Sequence, residues 1–220
     1  MVVRSWNLFH GNAVPPERHA YLREMVELVT ADDPDVVCLQ EVPVWALGRL
    51  EGWSGMRAVG GVGAEPLLRS AELGRLVTDL HHGILRSAVT GEALAVLVAR
   101  RHAVVDERRE RVGPNRVLVG VRLEGGPFVG NFHVTGGAVA QEQFRRVVEL
   151  VPDGAVVLAG DVNLRPPYAL EGFSDPLAGS IDQILVRGLP ATAPVAWPAE
   201  RRRVHGKLLS DHAPVELIVG

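Results

Sequence analysis

The stretch Val117-Leu118-Val119-Gly120-Val121-Arg122-Leu123, then Glu124-Gly125-Gly126, then Pro127-Phe128-Val129-Gly130-Asn131-Phe132-His133 decides the fold class. Val117, Val119, Val121 and Leu123 alternate with Leu118, Gly120 and Arg122. That is the period of a strand, and the out-of-phase Leu118 makes it partly two-sided. The Glu124-Gly125-Gly126 break between two apolar runs is a hairpin signal. A tight hairpin needs antiparallel pairing, so the sheet is not purely parallel. Working outward, Val-rich runs near 2–6, 35–39, 94–98, 155–159, 181–186 and 214–219 also read as strands. Helices are expected at about 17–30, 65–80 and 138–151. Tyr21, Leu22, Met25, Val26, Leu28 and Val29 recur at helical spacing before Pro34, and Phe144, Val147, Val148 and Val151 oppose Glu142, Arg145, Arg146 and Glu149. In the middle helix, Leu67, Leu68, Leu73, Leu76 and Leu80 are interrupted by Gly74. The stretches 52–64, 164–179 and 188–210 read as surface loops. Strands interspersed with helices make an α/β chain with a mixed sheet.

The chain has 220 residues, which suits one domain spanning 1–220. Hydrophobic residues make up 47% and charged residues 22%, the balance of a soluble globular protein with a sizeable core. The net charge of −3 gives no global basic field, so strong non-specific binding to duplex DNA is not expected. The single cysteine, Cys38, lies inside an apolar run and reads as a small buried hydrophobe; a chain without an internal disulfide suits the reducing cytoplasm. The amino terminus enters a strand at once, so no signal peptide is expected, and no apolar run has the roughly 20 residues of a transmembrane segment.

Polar clusters follow four of the apolar runs, Asn7, Gln40-Glu41, Asn131-Phe132-His133 and Gly160-Asp161-Val162-Asn163, and a fifth, Ser210-Asp211-His212, comes just before a strand. Strand ends are where an α/β scaffold presents reactive groups. Taken together these residues describe one polar, metal-competent site. A hard divalent cation such as Mg²⁺ needs oxygen ligands and only one or two carboxylates. Glu41 and Asp211 are the natural carboxylates, with Asn7 adding an amide oxygen. Alone, Glu41 reads as a surface acid and Asn7 as a turn residue. No His/Cys spacing resembles a zinc site.

Hydrolysis of a phosphoester needs an activated water, charge stabilisation at the phosphoryl oxygens and help for the leaving oxygen. His212 suits removal of a proton from water if a carboxylate fixes its other ring nitrogen, and Asp182 is the candidate partner. Asp161 and Asn163, two apart on an extended segment, point to one side and suit holding water and a phosphoryl oxygen; the plainer reading is an Asp-x-Asn turn. His133 is a candidate donor to a phosphoryl oxygen. Arg116 reads equally as a phosphate contact or a solvated strand-end cation. His10, His19, His81, His82, His102 and His205 read as structural.

The ordered set Trp6-Asn7, Leu39-Gln40-Glu41, Asn131-Phe132-His133, Gly160-Asp161-Val162-Asn163, Ile181-Asp182-Gln183-Ile184 and Ser210-Asp211-His212 resembles the endonuclease/exonuclease/phosphatase superfamily. That superfamily includes pancreatic-type deoxyribonuclease, abasic-site endonucleases, sphingomyelinases and inositol-polyphosphate 5-phosphatases. The resemblance spans nearly the whole chain. It implies a four-layer α/β/β/α sandwich with two mixed, mainly antiparallel sheets, and a Mg²⁺- or Mn²⁺-dependent phosphoester hydrolase. By motif, Asn7, Glu41 and Asp211 would serve the metal. Asp161 and Asn163 would position water and phosphate, His133 would bind phosphate or act in acid–base work, and Asp182 would orient His212. Glu92, in Thr90-Gly91-Glu92-Ala93-Leu94, would pair with His133. Val162 and Phe132 depart from the family pattern at positions expected to point away from the reacting centre. The segment after Glu41 lacks the Thr-Lys of many abasic-site repair enzymes.

The expected function is that of a cytoplasmic, monomeric phosphodiesterase with nuclease-like chemistry. A phosphomonoesterase or lipid phosphohydrolase on the same site is the alternative, and a non-catalytic binding module a third. The basic stretch Arg201-Arg202-Arg203-Val204-His205-Gly206-Lys207 would bring cations to an anionic substrate, possible nucleic acid included; equally it reads as a solvated loop.

Overall fold

The computed structural model describes residues 1–67, 70–80, 88–165 and 170–220. Leu68, His81, His82 and residues 166–169 of the 164–179 stretch lie outside the described residues. The strands are β1 (Val2–Asn7), β2 (Ala13–Val14), β3 (Val36–Val42), β4 (Arg57–Ala64), β5 (Glu92–Val98), β6 (Val104–Gly113), β7 (Arg116–Leu123), β8 (Phe128–His133), β9 (Val156–Asp161), β10 (Asp182–Arg187), β11 (Val195–Ala196), β12 (Arg203–Val204), β13 (Lys207–Leu209) and β14 (Val215–Ile218). The helices are α1 (Leu22–Thr30), α2 (Leu50–Ser54), α3 (Ala71–Leu80) and α4 (Ala140–Leu150). All eight apolar runs read as strands are strands. The stretch 52–64, read as a loop, instead contains β4, and 188–210 contains the short strands β11, β12 and β13.

Two sheets face each other. One has the order β11-β14-β1-β3-β5-β4, the other β10-β9-β8-β7-β6, and a small third sheet is β12-β13-β2. The β1/β3 and β8/β9 pairs are parallel and the other strand pairs antiparallel, including the β7/β8 hairpin. Alternation assigns each strand face to a layer. Val117, Val119 and Val121 of β7 join Val36, Cys38, Val96 and Val215 between the sheets. Cys38 is fully buried there, and burial pushes its thiol pKa up. The opposite face of β7 and β8, Leu118, Phe128 and Phe132, packs on Phe144 and Val147 of α4. On the far side Met25, Val26 and Val29 of α1 and Leu50 of α2 cover Trp6, Val37 and Leu39. The result is the four-layer α/β/β/α arrangement. Among the described residues, no helix is long and apolar enough to cross a membrane.

One backbone contact under the polar clusters is unusually close. A Cβ on Gly160 would lie 1.9 Å from the carbonyl oxygen of Phe132 on neighbouring β8. Gly160→Ala must push β9 off β8, at an expected cost of about 3 kcal/mol. A lower midpoint in urea unfolding is the expected reading; a parental midpoint would show that the strands part freely.

Candidate active site

Strand register builds the site. In the second sheet His133 of β8 is opposite Asp161 of β9, and Asp161 is opposite Asp182 of β10. The three side chains therefore stand in one row at the strand ends, spaced by the roughly 4.8 Å between strands. In the first sheet Asn7 of β1 is opposite Gln40 of β3. The β3/β5 pairing then shifts register between Leu39 and Val42, and Glu41 has a positive φ of 52°. Such an irregularity re-aims side chains. Here the residue re-aimed is Glu41, brought to Asn7, whereas Gln40 stays in phase with Val36 and Cys38 between the sheets and donates to Asn131 Oδ1 at 2.8 Å, while Asn131 Nδ2 donates to the carbonyls of Leu39 (2.8 Å) and Ala95 (2.9 Å). This buried tie fixes one sheet against the other beneath the site.

Across the gap, Asn7 Nδ2 donates to Glu41 Oε1 at 3.0 Å and to Asp161 Oδ2 at 3.1 Å. Asn7 Oδ1, the atom expected to face a metal, accepts from the Phe9 backbone N–H at 2.9 Å. His10 Nε2 lies 3.3 Å from Glu41 Oε2. His10, read from the sequence as structural, lies beside the site, and nothing in its spacing marks a residue carried inward by a left-handed backbone (φ 50°).

His133 and Glu92 meet as the resemblance implies: His133 Nδ1 and Glu92 Oε1 are 2.9 Å apart. Arg116 is ion-paired to Glu92 and its Nε donates to Thr135 Oγ1 at 3.1 Å. With 16% of its side chain exposed, Arg116 is not the solvated cation that was one of its two readings. Burial raises the pKa of Glu92, but the His133 hydrogen bond and charge, then Arg116 and His10, overcome it and hold it at about 2. Burial lowers that of His133, and the hydrogen bond and charge of Glu92 outweigh burial, so its net shift is upward.

Asn163 reaches the same place through the Asp-x-Asn turn, the plainer of its two sequence readings, and not along an extended segment. β9 ends at Asp161, whose Oδ1 accepts the Asn163 backbone N–H at 2.8 Å, and Asn163 has φ 51°. The carboxylate itself thus turns the chain. The turn aims Asn163 Nδ2 at His133 Nε2 (3.2 Å) and the Val134 carbonyl (2.9 Å). Val162 and Phe132 point away, into the core under α4.

His212 Nδ1 lies 2.9 Å from both carboxylate oxygens of Asp182 and 3.8 Å from Asp161 Oδ2. Burial lowers its pKa, but Asp182, then Asp161 and Asp211, raise it to about 9. Burial pushes Asp182 upward despite its ionised partner. Because the folded value of His212 exceeds the ordinary 6.5, its contribution to stability is complete below about pH 6.5 and lost as pH rises through about 9. We expect the imidazole of the metal-free protein to titrate near 9 by NMR, and Asp182→Asn to move it to the ordinary value or below. An unchanged titration in Asp182→Asn would contradict the pairing.

Asp211 is half-exposed, with Oδ1 3.9 Å from His212 Nε2. Asp161, Asp182 and His212 offer ligand atoms all within 4.8 Å of one another. The nitrogen of His212 on that side faces Asp182 at hydrogen-bond distance, so those two residues suit a proton-holding pair. The other carboxylates suit a hard cation: Glu41 and buried Asp161 converge on the Asn7 amide from two sheets and offer oxygen ligands to one small volume, with His10 beside Glu41 and His133 and His212 beside Asp161. The expected residues Asn7, Glu41, Glu92, Arg116, His133, Asp161, Asn163, Asp182 and His212 are linked by these contacts, and Asp211 stands at the rim.

The sequence profile of the Endonuclease/Exonuclease/phosphatase family matches residues 5–212. No curated protein matches. Among solved structures, an endonuclease/exonuclease/phosphatase from Beutenbergia cavernae DSM 12333 aligns at TM-score 0.70 and 20% identity, covering 100% of this chain and 72% of that one. A mannosyl-6-phosphatase from Bacteroides thetaiotaomicron VPI-5482 aligns at 0.69 and 16%, covering 100% and 99%. D. rerio TDP2 complexed with a single-strand DNA product aligns at 0.66 and 16%, covering 100% and 98%. At these identities the likeness is one of fold.

Proposed function

The chain belongs to the endonuclease/exonuclease/phosphatase family, a family of phosphoester hydrolases, and from that premise we propose a Mg²⁺- or Mn²⁺-dependent phosphodiesterase with nuclease-like chemistry, acting as a single domain. The observation that carries this reading is the contact chain from Glu41 through Asn7 to Asp161, and on to His133 and His212. It supports a reading in which two carboxylates, a donor histidine and a carboxylate-held histidine serve one small volume.

Glu41, Asp161 and Asp211 would hold the cation, and Asn7, which turns its Nδ2 and not its Oδ1 toward Glu41 and Asp161, would orient those two carboxylates. A bound divalent cation supplies charge neutralisation at the phosphoryl and leaving oxygens. The chain's own groups do the rest. Asp182 fixes the Nδ1 side of His212, leaving Nε2 to accept a proton from water. That requires a neutral imidazole, and positive charge at the neighbouring carboxylates opposes the raised pKa of His212. Asp161 and Asn163 orient the attacking water. His133, whose ring Glu92 holds at Nδ1, and Asn163 would donate to the phosphoryl oxygens, with Arg116 adding charge through the same cluster.

A phosphomonoester substrate is the second reading. It is favoured by the net charge of −3 and by the inward engagement of Arg202, which leaves fewer cations for a polynucleotide. The test is a panel with Mg²⁺ and with Mn²⁺: plasmid nicking, a chromogenic phosphodiester, a sugar phosphate, inositol phosphates and sphingomyelin. Cleavage of diesters supports the first reading, of monoesters alone the second. Inertness toward every member with both metals would remove both.

A further inference from the structure

The basic stretch at 201–207 has a use other than substrate capture. Arg202 Nη1 donates to three main-chain carbonyls: Leu209 (3.2 Å), Ser210 (2.7 Å) and His212 (2.9 Å). These carbonyls belong to the loop that carries Asp211 and His212. The His212 carbonyl also accepts from Trp6 Nε1 at 3.0 Å. The same loop is pinned at Ser210, which is fully buried with φ 58°: its Oγ donates to the Asn7 carbonyl at 2.7 Å and accepts the His212 N–H at 3.1 Å, and its own N–H donates to the Asn12 carbonyl at 3.0 Å. The flanking cations are engaged elsewhere. Arg201 stacks over Trp197 at 3.6 Å, Arg203 donates to the Gly206 carbonyl at 3.2 Å, and Lys207 pairs with Glu17 at 2.6 Å.

We propose that Arg202 is a positioning residue: its guanidinium, with the Trp6 indole, braces the loop that carries His212 and thereby sets the imidazole against Asp182. The physical reason is that a left-handed turn leaves several carbonyls pointing to one side without strand partners. All three are met from Nη1, which shares its two hydrogens among them at the far end of the planar guanidinium, one bond beyond the reach of a lysine ammonium. Trp6 immediately precedes Asn7, so the brace ties the histidine loop to the strand that ends on the metal side of the site. Misplacement of a reacting group by about 1 Å costs rate rather than binding.

The proposal rests on the hydrolase reading, and the test separates the two. Arg202→Lys is expected to lower kcat about 100-fold on the chromogenic phosphodiester with KM within about twofold. Arg201→Gln and Arg203→Gln leave both constants near the parent's. Trp6→Phe, which removes the other donor to the same carbonyl, gives a smaller loss of kcat, about tenfold. In the metal-free protein the His212 Nδ1 proton, sheltered against Asp182, gives a low-field NMR signal in the parent that broadens away in Arg202→Lys. A parental kcat and a parental signal in Arg202→Lys overturn the proposal. A raised KM at unchanged kcat also overturns it, marking Arg202 as a substrate cation. If the parent cleaves no phosphoester, the hydrolase reading fails by itself and the NMR signal still decides the brace.

Discussion

His212→Ala is expected to lower kcat by about three to four orders of magnitude while leaving the fold intact. Two features set that size. The imidazole is held by both oxygens of Asp182 at 2.9 Å, so its orientation is fixed before substrate arrives. Its backbone is anchored independently of the ring, through Trp6, Arg202 and Ser210, so removing the ring does not release the loop. Circular dichroism and the urea midpoint should therefore stay near the parent's. The midpoint should fall only modestly and only below about pH 9, where the charged ring contributes. Equal turnover by mutant and parent would remove His212 from proton transfer altogether.

Glu41→Gln carries the second large effect. Gln keeps the volume and an oxygen for Asn7 Nδ2 but loses the charge that balances a cation. Affinity for Mg²⁺ and Mn²⁺, measured by calorimetry without substrate, should fall at least about 100-fold. Turnover at a fixed low metal concentration should fall with it and recover in part as metal is raised. The contact of Oε2 with His10 Nε2 at 3.3 Å is replaced by one from an amide, so a small change in stability is also expected. Parental affinity in Glu41→Gln would move the metal to another group, with Asp161, Asp182 and His212 the next candidate.

The apolar strands were legible because burial on both faces of the sheets makes them near-continuous apolar runs. What escaped were strands whose chemistry hides that signal. β4 carries Gly60, Gly61 and Gly63, a loop signal in sequence. In the fold a Cβ on Gly61 would lie 2.5 Å from Val119 Cγ2, so small residues there let the two sheets approach. β6 runs through Asp106-Glu107-Arg108-Arg109-Glu110-Arg111 along an exposed edge, where burial imposes no pattern. Its arginines reach across: Arg109 Nε donates to the Gly60 carbonyl at 2.7 Å and Arg111 Nη1 to that of Gly63 at 2.7 Å. Charged edges of this kind also block pairing with another chain.

The site was legible for a related reason. Polar residues that end an apolar run stand out, and register then brings His133, Asp161 and Asp182 into one row. Roles that depend on local backbone left little mark. The Asp161-x-Asn163 spacing admits both an extended pair and a turn, and it is the turn made by Asp161 that brings Asn163 into the site. His10 reads as an isolated structural histidine, yet its backbone carries it to Glu41. Arg202 is indistinguishable from its neighbours in a run of three arginines until the carbonyls it binds are seen. Such assignments need the chain's turns, which spacing alone does not encode.

The central claim is that water attacks phosphorus within this cluster. Hydrolysis of the chromogenic phosphodiester in ¹⁸O-labelled water, with Mn²⁺ or Mg²⁺ supplied, tests it most directly. The account predicts label in the phosphoryl product, and its loss together with turnover in His212→Ala. Label in the released alcohol instead, or product formed without any label in the phosphoryl group, would contradict it.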